Sequence, residues 1–128
     1  MTKPDASKVM KWIASQINQM IEMGNRGYGL AKRIIRAMNV NIESFEETME
    51  ICIKIANIWN EVGQVWRHYE MENDENPGVL EQLDRIGEIV IQIEDIAHQG
   101  NAGTTTEKNI LRILKDYLDD LTRELTLL

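Results

Sequence analysis

The run from Ser44 to Tyr69 constrains the fold more than any other part of the chain. It carries no proline and two adjacent apolar stripes at helical spacing. Phe45, Met49, Cys52, Ala56, Trp59 and Trp66 form one stripe; Ile51, Ile55, Ile58, Val62 and Val65 form the other. Residues three and four apart share a helix face, so the run is a helix of about 26 residues, roughly 39 Å long. A surface helix needs a single apolar stripe, and so broad a face implies burial on more than one side. This is the expected central helix of an all-α bundle.

Four further segments fit around it. The first opens near Pro4, with Asp5 placed to cap its first turn, and is striped by Val9, Ile13, Ile17, Met20 and Ile21 with Trp12 alongside. The glycines of "GNRG" (24–27) are expected to end it. A short basic helix, "YGLAKRIIRAM", then carries Leu30, Ile34 and Met38 on one face. Ser44 and Glu47 have capping-box spacing at the start of the central helix. After the turn "MENDENPG" (71–78), Asn76 caps and Pro77 takes the favoured first position of a helix running to His98, ended by Gly100. Its stripe is Val79, Leu83, Ile86, Val90, Ile93 and Ala97. Thr104 and Glu107 repeat the capping-box spacing before a last helix that buries Ile110, Leu114, Tyr117, Leu121 and Leu125. Short connections and wide apolar faces predict one domain over residues 1–128, an antiparallel four- to five-helix bundle that self-associates.

Composition excludes several function classes. The 128 residues suffice for one core, and 43% hydrophobic with 27% charged is an ordinary folded composition. Cys52 is the only cysteine, so neither an internal disulfide nor cysteine-cluster zinc ligation is available. No apolar run approaches the ~20 residues that span a bilayer, and "MTKPDASK" lacks the apolar stretch of a signal peptide. A cytoplasmic protein without a membrane partner is expected. The net charge of −7 is uneven: residues 1–40 hold seven basic and two acidic residues, a net of +5, and the remainder nets −12. Docking of the basic front onto the acidic back, within the bundle or between copies, is the expected meaning of that asymmetry.

Two polar ridges compete for a functional role. The central helix carries Glu50, Lys54, Asn57, Glu61, Gln64 and His68; the next carries Glu81, Asp84, Arg85, Glu88, Gln92 and Asp95. Charged ridges usually face water. The two helices form a hairpin, however, in which residues whose numbers sum to about 148 stand level. Glu61, Gln64, Asp84 and Glu88 then share one layer, with Gly63 and Gly87 at the same height. Glycine costs about 1 kcal/mol in a helix relative to alanine, so two at one level suggest close helix approach or room for something bound. Carboxylates converging there would need a cation or bound protons to neutralise them, and oxygen ligands suit Mg²⁺ or Mn²⁺.

These residues resemble a known family, the MazG-type all-α nucleoside triphosphate pyrophosphohydrolases. "NEVGQV" (60–65) is similar to the family's "EEVGEL" segment, and "DRIGEIVIQIEDIA" (84–97) to its "EELGDLL" segment and the apolar helix after it, at a fitting separation; about 40 residues are covered. The resemblance implies a metal held by Glu61, Gln64, Asp84 and Glu88, with Glu61 and Glu88 catalytic and Arg85 and Lys54 on the substrate phosphates. It implies hydrolysis of a nucleoside triphosphate to monophosphate and pyrophosphate, and self-association into a homo-oligomer. Two positions depart from the pattern. Gln64 replaces a glutamate, and Arg85 stands where the third acid belongs, a guanidinium opposed to a divalent cation though able to grip phosphate. A degenerate site, active or inactive, is one expectation. The other is a non-catalytic interaction protein, an adaptor or inhibitor, presenting its acidic surface to a basic protein.

Other signals are weaker. "AHQGNAG" (97–103) has His98 at the end of a helix, where the helix dipole favours it, whereas phosphotransfer histidines sit mid-helix. A helix-turn-helix over "GLAKRIIRAMNVNIESF" would present Glu43, Glu46, Glu47 and Glu50 to a phosphate backbone, which repels them, so no DNA or RNA partner is expected. Lys32, Arg33 and Arg36 fit a solvated face better than a phosphate rim. Trp12, Trp59 and Trp66 lie on or beside apolar stripes and are expected in the core or at a dimer seam.

Overall fold

The computed structural model describes residues 6–37, 42–68, 77–102 and 107–128. They form four helices, α1 (Ala6–Arg36), α2 (Ile42–His68), α3 (Pro77–Ala102) and α4 (Glu107–Leu127), and among the described residues there is no strand. The expectations at Asp5, Met38, Tyr69, the turn at 71–76 with its Asn76 cap, and the Thr104 cap lie outside the described residues. Each helix packs along the ones before and after it in the chain, and α4 closes back on α1 in the most extensive seam. α1 and α3, like α2 and α4, stand diagonally with little direct contact.

One cluster draws on all four helices. Met20, Ala31 and Ile34 of α1 meet Met49, Cys52 and Ile55 of α2, Ile86, Val90 and Ile93 of α3, and Leu111, Leu114, Leu118 and Leu121 of α4. Burying each large apolar side chain contributes roughly 1.5–3 kcal/mol. Both apolar stripes of α2 supply buried residues, Phe45, Met49, Cys52 and Ala56 from one and Ile51, Ile55 and Val62 from the other. That double burial is what two neighbours require. In α4, Leu111 and Leu118 are buried beside the expected stripe, while Tyr117 is half-buried.

The expected break at residues 24–27 does not occur: α1 is one helix of 31 residues, and the bundle has four helices among the described residues rather than five segments. Gly24 and Gly27 serve packing instead of termination. A β-carbon at Gly24 would lie 2.6 Å from Thr122 Cγ2, and one at Gly27 would lie 3.2 Å from Leu118 Cδ1 and 3.4 Å from Ile51 Cγ2. Their small size lets α4 approach closely, and that burial offsets their poor helix propensity.

Smaller differences concern helix ends. α2 starts at Ile42, so Ser44 lies inside the helix, where its carbonyl accepts a 2.8 Å hydrogen bond from the buried Thr48 hydroxyl. α3 runs through Gly100 to Ala102. Two side chains cap helix ends across seams. Lys108 Nζ donates to the Ala37 carbonyl at 2.6 Å, just past the end of α1, and Gln82 Nε2 to the Glu124 carbonyl at 3.0 Å in the last turn of α4, where carbonyls commonly lack an intrahelical partner. Among the described residues no helix is long and apolar enough to cross a membrane.

Candidate functional site

At one end of the bundle the described residues leave a groove open. A second, small cluster joins Val9 and Ile13 of α1 to Val62 of α2, with Trp12, Ile17, Ile58, Val65 and Trp66 packed against it. Among the described residues nothing from α3 or α4 belongs to it. Between this α1–α2 seam and the other two helices lies an open groove of about 1150 Å³. α1 contributes Met10, Ile13, Ala14, Ile17, Asn18 and Ile21; α2 contributes Trp59, Val62, Gly63, Trp66 and Arg67. α3 contributes Gln82, Leu83, Asp84, Gly87, Glu88 and Ile91, and residues 125–128 complete the wall.

The floor is aromatic and aliphatic, and its glycines admit larger neighbours. A β-carbon at Gly87 would meet the Trp59 indole nitrogen at 3.6 Å, and one at Gly63 would meet the Arg67 guanidinium at 3.8 Å. The tryptophan thus lies across the α3 backbone and the arginine folds back along α2. Polar groups sit at the borders: Arg67, Asp84 and Glu88 are exposed, as is Asn18. The groove is larger than the ~300–1,000 Å³ usual for small-molecule pockets.

The residues singled out from sequence divide between the groove and the outer surface. Asp84 and Glu88 line the groove beside Gly63 and Gly87. Glu61, Gln64 and Lys54 are exposed and do not line it. Arg85 turns to α4, its Nε 3.8 Å from Glu124 Oε2, an oxygen shielded from water that makes no hydrogen bond. That pairing occupies the guanidinium expected on a substrate phosphate. Of the other cations considered for a phosphate rim, Lys32 lies 5.4 Å from the Tyr28 ring centroid and Arg33 and Arg36 stand exposed in the last turn of α1; none lines the groove. His98 is exposed, 3.8 Å from Glu94.

Among the described residues no three His, Cys, Asp or Glu side chains gather where they could hold a metal ion. Of the four residues that the family resemblance assigns to Mg²⁺, Asp84 and Glu88 line the groove and Glu61 and Gln64 do not. Cys52 offers no nucleophile either. It is wholly buried in the core, and burial pushes its thiol up from the usual 9.0 to about 12, far from the ionised form that reacts.

The groove's exposed apolar residues were not singled out from the sequence. Met10 is 43% exposed, Ile91 59%, Leu127 70% and Leu128 45%. The available signal was position: each is apolar yet lies off its helix's inward stripe, Met10 next to Val9, Ile91 next to Val90, and Leu127–Leu128 after Leu125. Compared with known proteins, the chain matches no family model, no curated protein and no solved structure.

Proposed function

We propose that this chain is a non-catalytic helical binding module, an antiparallel four-helix bundle whose open end takes up the apolar surface of a protein partner. One observation carries the reading. Of the six large apolar side chains exposed among the described residues, four line the same groove. Apolar exposure gathered at one place marks an interaction site, because scattered exposure is the ordinary condition of a protein surface. The acidic border of Asp84 and Glu88 adds charge selectivity at the rim, where charges steer association more than they hold it.

The antiparallel order is supported by the α1–α4 contacts, in which Ala37, Gly27 and Gly24 meet Lys108, Leu118 and Thr122 in turn. Continued in that register, Leu128 falls level with about Ile17.

The hydrolase reading keeps one observation in its favour, the placement of Asp84 and Glu88 on the groove with two tryptophans nearby. Thermal melting with and without Mg²⁺ or Mn²⁺, across a panel of nucleoside triphosphates, separates the two. A ligand that binds only the folded form raises the melting temperature by mass action. A binding module shows no shift in any combination and releases no pyrophosphate. A shift with metal and triphosphate together, abolished by Glu88→Gln, overturns the binding-module reading.

A further inference from the structure

We propose that the partner filling the groove is an amphipathic α-helix of about three turns, its apolar face on the tryptophan floor and its basic flank along α3. The proposal rests on the binding-module reading and adds the partner's chemistry to it. The first argument is backbone. The stretches of α1 and α3 that line the groove, 10–21 and 82–91, lie inside their helices, where each N–H and carbonyl is engaged by the helix itself. An extended segment laid over them would cover its own polar backbone without partners, and among the described residues no strand edge exists to receive it. A helix arrives with those groups already paired. The lining of α1 from Met10 to Ile21 is about 16 Å long, the length of about eleven helical residues.

The second argument is charge. Asp84 and Glu88 stand one helical turn apart on the α3 border, both exposed, and neither makes an ion pair with another described residue. Two such carboxylates match lysine or arginine at positions i and i+4 of a helix packed alongside. Arg67, unpaired in the same sense, folds back over Gly63 on the α2 side, so the occupant's other flank is acidic or neutral there. Between these borders Met10, Ile91 and Leu127 present exposed apolar surface around the half-buried Trp59 and Trp66. Apolar residues three and four apart on one helix face cover such a strip.

The test is titration of the full chain with designed peptides of about fifteen residues, long enough to form a helix and free of aromatic residues. The first carries leucines on one helical face and arginines four apart on one flank. A second has glutamates in place of the arginines, a third is the first shuffled so that its leucines share no face, and a fourth has a central proline. Covering Trp59 and Trp66 shifts the protein's emission to shorter wavelength, which reads binding. The first peptide is expected to bind at least about tenfold tighter than the others at low salt, its lead over the acidic one shrinking as salt rises. Asp84→Lys with Glu88→Lys inverts the preference between basic and acidic peptides. Glu46→Lys with Glu50→Lys, exposed on α2 and off the groove, changes net charge equally and leaves the preference in place. Ile91→Glu weakens the first peptide at least about tenfold. Since Ile91 is 59% exposed, the melting temperature of that variant remains that of the wild type. Equal binding of the shuffled or proline peptide overturns the proposal, as does a preference that ignores the α3 reversal or is inverted equally by the α2 one. A chain that binds none of the peptides overturns it too. The binding-module reading fails by a different measurement, the melting shift with metal and triphosphate.

Discussion

Alanine substitution of the α1 glycines tests whether the first helix runs unbroken and why. Gly29 lies within α1, and a β-carbon there would meet nothing within 4 Å. Gly29→Ala therefore gains helix propensity without a packing cost, about 0.5–1 kcal/mol. At Gly24 the same gain is opposed by a contact of 2.6 Å with Thr122 Cγ2, about 1 Å inside ordinary carbon–carbon separation. Thr122 does not yield easily, since its hydroxyl donates to the Asp119 carbonyl at 3.0 Å and it sits in the most extensive seam of the bundle. Overpacking of this kind costs about 1–3 kcal/mol, so Gly24→Ala is expected to lose about 1–2 kcal/mol net. Gly27→Ala falls between the two, because its closest contacts are the flexible ends of Leu118 and Ile51.

The decisive arm is Thr122→Ser, which keeps the hydroxyl and removes the offending methyl. In that background Gly24→Ala should change sign, becoming stabilising by about 0.5–1 kcal/mol. Urea unfolding at fixed m reads all of these differences. If Gly24→Ala and Gly29→Ala shift stability equally, or the sign at residue 24 survives Thr122→Ser, the close approach of α1 and α4 is not what the glycines serve.

Other perturbations have expected outcomes of their own. The Cys52 thiol ionises near 9 in the unfolded chain and near 12 in the folded one. Its contribution to stability is therefore complete below pH 9 and is lost as pH rises towards 12, by up to about 1.4 kcal/mol per pH unit. Unfolding curves from pH 8 to 10 should show that slope in the wild type relative to Cys52→Ala, and parallel curves would refute it. A thiol reagent at neutral pH should label Cys52 only at the rate of opening, so rapid labelling of the native protein contradicts its burial. Arg85→Ala leaves the water-shielded Glu124 oxygen without its cation and should cost about 0.5–1 kcal/mol, an amount limited by the exposure of Arg85. Adding Glu124→Gln should recover most of that loss, and strictly additive double-mutant energies would show that the pair does not interact.

Much of the fold was legible because it is local. Alternation in threes and fours located the four described helices, though it divided α1 in two, and the double stripe of α2 agrees with its packing against α1 and α3. The break expected at Gly24 and Gly27 shows the limit. A glycine that ends a helix and a glycine that admits a neighbour are identical in sequence, and only Leu118 and Thr122, some ninety residues away, distinguish them. The starts of α2 and α3 differ in kind: Pro77 marks its helix correctly, while Ser44 has the cap pattern but lies two residues inside, because Ile42 continues the helix backwards.

The candidate site divides along the same line, between height and rotation. Trp59 beside Gly87 agrees with the hairpin register in which paired numbers sum to about 148, and Gly63, Asp84, Gly87 and Glu88 do border one groove. Rotation around the helix is a separate condition, and the layer argument did not impose it. Glu61 precedes Gly63 by two residues, which is about 200° around an α-helix. If Gly63 faces the groove, Glu61 must face away, and of the expected acids only the two of α3 border it. The spacing within "NEVGQV" already contains that conflict: the glycine and the first glutamate cannot both belong to one inward-looking gap. What no spacing contains is the exposure of Met10 and Ile91, since an apolar residue beside the stripe is buried or bare according to whether a neighbouring helix reaches it. The groove is thus a property of relative helix placement.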